Sequence, residues 1–228
     1  MRAMDLEELR DRLLAGRDMT GWWPAQTPFE VMVGAVLTQQ TTWENVTKAI
    51  AALRKEGLLD VYMLADCPSD RLMPLVRCTG FYRQKTERLI SMARHAVEVH
   101  GGVEAMLEQG TNDLRAELLV LPGIGPETAD SILLFAARRP RFVAAAYVSR
   151  VLSRTGIFAS DDYDQVQAFV EGSIAPQYTR YQELYAVLVD HARTTCLKEP
   201  RCERCVVADR CRSALTPGRK LCCPPPRL

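Results

Sequence analysis

The chain has 228 residues, 47% of them apolar, with a net charge of +1 and eight cysteines. That length fits one large domain or two small ones sharing a core, and no apolar run nears the ~20 residues that a membrane span needs. A near-neutral balance does not by itself mark a nucleic-acid binder, yet from Arg193 onward cations such as Lys198, Arg201 and Arg204 outnumber the acids Glu199, Glu203 and Asp209.

The first residues, Met1 to Leu6, turn amphipathic at once and carry no secretory pattern, so a cytoplasmic, reducing location is expected. Strand signals are nearly absent and helical periodicity dominates, so the fold class expected is all-α. Thr27-Pro28-Phe29-Glu30 reads as a helix start: a capping Thr, Pro in the first turn and Glu three residues after the cap. Val31, Val33, Ala35, Val36 and Leu37 then make that helix largely buried. A second helix starts at Thr42-Trp43 and runs to about Arg54. Further helices are expected over 59–65, 69–76, 83–99, 112–120, 126–137, 145–155, 163–173 and 179–195. Asp162 is placed to cap the helix at Tyr163, with Gln165 in the reciprocal position. Cys67 and Cys78 read as core residues, and Cys222-Cys223 as part of a poorly ordered tail outside any ligand set.

Cys196, Cys202, Cys205 and Cys211 form a C-x5-C-x2-C-x5-C array. Thiolates this dense hold a soft metal or a cluster, and the spacing alone leaves zinc and iron–sulfur both open. In a reducing compartment disulfides are disfavoured. Leu121-Pro122-Gly123-Ile124-Gly125-Pro126-Glu127-Thr128-Ala129 lies between two helical stretches. Its glycines allow a tight hairpin whose backbone N–H groups suit a phosphate oxygen; taken alone, Gly-x-Gly is equally a plain helix–helix turn.

These strings, with Leu37-Thr38-Gln39-Gln40-Thr41-Thr42 and Gly80-Phe81-Tyr82-Arg83-Gln84-Lys85, occur in the order found in the endonuclease III (helix–hairpin–helix) superfamily of DNA glycosylases, which the chain resembles over most of its length. The resemblance implies two helical domains, here 27–139 and 1–26 plus 140–228, with double-stranded DNA carrying a damaged base held across the cleft between them. It implies a [4Fe–4S] cluster on the four cysteines, although the family's first gap is commonly one residue longer. It also implies a monovalent cation at the helix–hairpin–helix. Gly123, Ile124, Gly125 and Thr128 would then meet phosphate without reading sequence, and Lys198, Arg201 and Arg204 would be presented to phosphates by the cluster loop. Gln40 would fill the gap left by a flipped base, and Phe81 would wedge into the opposite strand; outside the family their plain readings are a helix-end hydrogen bond and a core aromatic. A monomer at the nucleoid is the expected form.

Two catalytic positions depart from the family pattern. Where bifunctional members carry the lysine that attacks the sugar, this chain has Glu127, and a carboxylate forms no Schiff base. Where the family carries an aspartate that stabilises the developing oxocarbenium ion, the string Phe142-Val143-Ala144-Ala145-Ala146-Tyr147 puts Ala145. Either an Asp was replaced to trap substrate, or the natural chain is inactive or uses another carboxylate such as Glu127. Trp22-Trp23-Pro24, and Trp43 after the T-Q-Q-T string, resemble the bacterial 3-methyladenine branch of the superfamily. An N-alkylated purine is cationic and gains roughly 0.5–2 kcal/mol between aromatic faces, so Trp22, Trp23 and Trp43 are the expected base pocket, with Trp23 and Trp43 as its slot. The expectation is a monofunctional glycosylase for such purines. The alternatives are a glycosylase for damaged or mismatched pyrimidines, a non-catalytic damage binder, or a zinc-stabilised interaction module.

Overall fold

The computed structural model describes residues 4–216, and Cys222 and Cys223 lie outside them. Among the described residues there is no strand. In chain order the helices are α1 (Leu6–Leu14), α2 (Pro28–Leu37), α3 (Trp43–Lys55), α4 (Val61–Ala65), α5 (Ser69–Val76), α6 (Tyr82–His100), α7 (Val103–Glu108), α8 (Thr111–Val120), α9 (Pro126–Ser131), α10 (Ala146–Thr155), α11 (Tyr163–Ser173), α12 (Tyr178–Thr194) and α13 (Arg212–Leu215). None is long and apolar enough to cross a membrane. One compact unit spans Trp23–Arg139; the described residues through Trp22 and from Pro140 on form the other.

In the Trp23–Arg139 unit, α2 is buried along its whole length after Pro28, as its unbroken apolar run requires. Thr27 caps it, its Oγ1 accepting from the Glu30 N–H at 3.1 Å. The Glu30 carboxylate accepts from the Gln26 N–H at 3.1 Å and from Arg54, so it serves the chain entering the helix and ties α2 to α3. Around α2 pack α3, α6 and the segment after α9. Helix α7 was not expected from sequence, because six residues after Gly101-Gly102 are too short to show a period. The stretch expected as one helix over 126–137 divides: α9 ends at Ser131 and a π-helical turn, Ile132–Ala136, follows. Such turns are wider than an α-turn and shift the side chains that follow. Cys67 is buried, but Cys78 is exposed, a correction to the expected core placement. The 3₁₀ turn Arg77–Thr79 sends Thr79 inward instead, and the Cys78 thiol faces the Asn45 carbonyl at 3.4 Å.

The second unit is built on α12, which carries α1 and α10. Its buried residues include Leu9 and Leu13 of α1 and Leu184 and Leu188 of α12, with Phe142 meeting Tyr181 edge to face at 5.7 Å. Asp162 caps α11 as expected, accepting from the Gln165 N–H at 2.8 Å. The reciprocal bond is absent: the Gln165 side chain accepts from the Ser160 hydroxyl at 3.0 Å, because that hydroxyl already stands beside the cap. Arg12 of α1 holds Asp209 through two bonds of 2.7 and 2.8 Å, which anchors the cysteine-bearing loop to the first helix.

Candidate functional site

Within the Trp23–Arg139 unit, three loops carrying the singled-out residues are bonded to one another. The hairpin between α8 and α9 turns at Gly123, whose φ is +73°, a conformation that glycine adopts freely. A Cβ there would lie 1.9 Å from Arg88 Nε of α6, so the guanidinium occupies the space that the missing side chain leaves. Arg88 in turn donates to Gln39 Oε1, and Gln39 Nε2 donates to the Gly123 carbonyl at 2.9 Å and to Thr128 Oγ1 at 3.0 Å. Arg88 was not expected as a functional residue. Its only sequence signal is its place one turn after Lys85 on the α6 face.

Two of the expected phosphate contacts are engaged within the protein. Thr128 is buried and its hydroxyl faces Gln39, so its side chain belongs to the loop-to-loop lock. Ile124 is buried too, and its N–H is taken by the Leu121 carbonyl at 3.2 Å. Gly123 and Gly125 lie on the surface, and their backbone N–H groups have no partner among the described residues. Gly125 has φ −95° and nothing within 4 Å of a built Cβ, so neither strain nor crowding demands glycine there.

Gln40 and Phe81 share an unusual property. Both are non-glycine residues in the left-handed region, with φ of +52° and +47°. Both are exposed, Phe81 to 58%, so the plain reading of Phe81 as a core aromatic does not hold. A left-handed side chain costs about 1–2 kcal/mol and persists where its surroundings over-determine it. Here the over-determining group is Lys85. It is buried to 1% exposure, and its amine donates to the Leu37 carbonyl at 2.9 Å and the Thr79 carbonyl at 2.8 Å. Leu37 ends the helix that leads to Gln40, and Thr79 lies two residues before Phe81. Burial, with Arg88 nearby, lowers the Lys85 amine to about 8. Sequence reading passed over Lys85 because a lysine on an amphipathic helix is ordinarily solvated.

The tryptophans do not form the expected slot. Trp23 and Trp43 touch edge to face, 5.7 Å apart at 80°, so no base fits between them as between parallel faces. The cause is the packing of Trp23, which tilts onto Phe135 of the π-helical turn at 5.0 Å and covers Gly34 of α2. Both rings stay half-buried against the core. Trp22 lies in the other unit, where it meets Tyr185 edge to face at 5.7 Å. Glu127, in the first turn of α9, is accessible in area yet crowded by protein atoms, and this desolvation raises its carboxyl above the usual carboxylate range.

In the second unit Ala145 is buried and forms the N-cap of α10, its carbonyl accepting from the Val148 N–H at 2.8 Å. No side chain caps this helix. The four cysteines, Cys196, Cys202, Cys205 and Cys211, line one cavity with His191 and Arg154. Arg154, at the end of α10, donates to Cys196 Sγ at 3.4 Å and to the Leu197 and Lys198 carbonyls at 2.5 and 2.9 Å, while its own carbonyl accepts from Cys211 Sγ at 3.3 Å. Lys198, Arg201 and Arg204 are exposed and make no ion pair among the described residues.

A family model described as the HhH-GPD superfamily base excision DNA repair protein matches residues 33–176. A Methanocaldococcus jannaschii protein, provisionally named DNA repair glycosylase MJ1434, is 40% identical over 195 residues, covering 84% of this chain and 89% of its own. Endonuclease III of Thermotoga maritima is 29% identical over 189 residues, covering 81% and 82%. Among solved structures, the Helicobacter pylori 3-methyladenine DNA glycosylase MagIII bound to 1,N6-ethenoadenine superposes with a TM-score of 0.73 at 27% identity, covering 83% of this chain and 98% of that one.

Proposed function

Because the chain belongs to the HhH-GPD superfamily of base excision DNA repair proteins, as a DNA glycosylase, we propose that its substrate is an N-alkylated purine of the 3-methyladenine kind, that its chemistry is hydrolytic without strand cleavage, and that turnover in this chain is blocked at Ala145. The observation that carries the reading is the pair of exposed, strained residues Gln40 and Phe81, held by one buried lysine in the same unit as the glycine hairpin. Strain stored at two exposed side chains has no use in packing. It fits residues that must enter a duplex when a base leaves its stack.

In this reading the Gly123 and Gly125 amides position a phosphate, Phe81 opens the stack and Gln40 takes the vacated space. Trp23 and Trp43 offer the flipped base an edge-to-face corner, which still presents an indole face to a cationic purine. The resemblance to MagIII supports the purine assignment. With Glu127 in place of an amine, no covalent sugar intermediate forms. Alkylation already weakens the glycosidic bond, so the remaining need is a carboxylate near the sugar, and Ala145 supplies none.

The four-thiolate donor set of the cysteine cavity fits a [4Fe–4S] cluster on Cys196, Cys202, Cys205 and Cys211. When bound, it supplies a rigid cross-link of the loop. The chain's own part is to hold that loop through Arg154 and present Lys198, Arg201 and Arg204 to phosphates. A second reading has one observation in its favour: the raised carboxyl of Glu127 suits a proton acceptor standing in for the missing aspartate.

The test uses the unchanged protein and duplexes carrying 1,N6-ethenoadenine, uracil or no lesion. Tighter binding to the ethenoadenine duplex, by tenfold or more, is the expected result. Preference for uracil moves the protein to the pyrimidine branch, and equal binding to all three overturns a lesion-directed role.

A further inference from the structure

Two of the three histidines in the chain meet at one carboxylate, toward the C-terminal end of α6. His95 Nε2 and His100 Nε2, both of α6, each lie 2.6 Å from Glu117 Oε1 of α8. All three atoms fall within 4.8 Å of one another, and the three side chains are 15–23% exposed. The other carboxylate oxygen is held by Gln109 Nε2 at 2.8 Å. On the solvent side His95 borders an open groove with Arg94, Glu98 and Leu121. Arg94 Nε donates to the Ala65 carbonyl at 2.9 Å.

The geometry points to a binding site for a divalent transition-metal ion, of the borderline class typified by Zn²⁺, formed by His95, His100 and Glu117. Two imidazoles aim the same kind of nitrogen at one place, and a carboxylate completes a His₂Glu donor set. An anchored second oxygen, as Gln109 provides, is the outer partner that fixes a carboxylate ligand's orientation. Without metal the imidazoles donate to the carboxylate. With metal, small side-chain rotations open the cluster around the ion, and the groove beside His95 is the entry path. A fourth position remains for water.

The site has a structural consequence independent of base excision. Glu117 sits one turn before the end of α8, and α8 runs directly into the Leu121–Gly125 hairpin. A metal on the cluster clips that helix to the C-terminal end of α6. About 20 Å of helix rise separates His95 from Phe81, so the ion acts on the hairpin platform and stays away from the lesion. An ion that binds only the folded state raises stability with concentration. For a chain of this size, ion at a hundred times its Kd raises Tm by about 5 °C.

The test takes tag-free protein with its cysteine centre loaded and titrates Zn²⁺ by calorimetry, followed by X-ray absorption at the zinc edge. The expected result is one zinc per chain in a shell of nitrogen and oxygen neighbours near 2.0 Å, with the Tm rise, and loss of both in the His95→Gln, His100→Gln double variant. The single variant His100→Gln, which keeps one imidazole, is expected to weaken binding at least tenfold. A zinc shell containing sulfur, no zinc taken up, or unchanged binding in the folded variants would overturn the site.

Discussion

The amine of Lys85 donates to the carbonyl of Leu37 at 2.9 Å from a position that is almost wholly buried, and its second bond reaches Thr79. One cation thus closes the ends of two segments that project Gln40 and Phe81. Replacing it by methionine leaves two buried carbonyls without donors, at about 1–3 kcal/mol. Lys85→Met is therefore expected to lower stability by that amount in urea unfolding and to weaken lesion binding by more than the stability loss explains. The pH dependence has a definite sign. The folded amine is lowered from 10.5 to about 8. Below that value it is protonated in both states; from about pH 8 to 10.5 the unfolded chain keeps a proton that the folded chain has released, so stability rises with pH across this window. That rise is expected to be absent in Lys85→Met.

The two hairpin glycines are expected to separate folding from binding. Gly123→Ala forces a left-handed alanine into the space of the Arg88 guanidinium. It should destabilise by about 1–3 kcal/mol, the usual range for overpacking and strain. Gly125→Ala meets open space at an ordinary φ and should leave the thermal midpoint nearly unchanged. Its methyl group nonetheless obstructs close approach to the backbone, so duplex affinity should fall for damaged and undamaged DNA alike. Equal thermal loss in both variants would contradict this division.

Much of the scaffold was legible in the sequence, and what was missed has physical causes. Thr27-Pro28 and Asp162 announced their helices because capping is local chemistry. The cysteine array and hairpin were legible for the same reason. Lys85 was not, because its partners lie 48 and 6 residues away and only the fold brings them to it. Arg154, which binds the cysteine loop from 42 residues before Cys196, escaped likewise. The tryptophan slot failed on ring angle, which no sequence encodes directly. It depends on how the π-helical turn presents Phe135. Glu117, His95 and His100 gave no motif spacing, since α6 and α8 join only through packing.

Arg154 gives the cysteine centre its own prediction. Its planar fork serves a sulfur and several carbonyls at once, which a point charge cannot match. Protein purified without oxygen is expected to be brown, with iron and sulfide in equal amounts. Cys202→Ala should abolish the colour, whereas Arg154→Lys should retain it at first and lose it faster on exposure to air. A colourless protein holding zinc alone would contradict the cluster assignment.

The most direct measurement is single-turnover base release from a duplex carrying 3-methyladenine, comparing the unchanged chain with Ala145→Asp. Ala145 is an N-cap without a capping side chain. Aspartate there would accept from the first free amides of α10, which offsets the cost of burying its carboxylate, so the variant should keep the fold. Loss of one such charge typically costs a reaction several kcal/mol of transition-state stabilisation. The account predicts release at least a hundredfold faster in Ala145→Asp, with no strand cleavage by either protein. Equal rates in the two proteins, or release of uracil in place of the methylated purine, would contradict it.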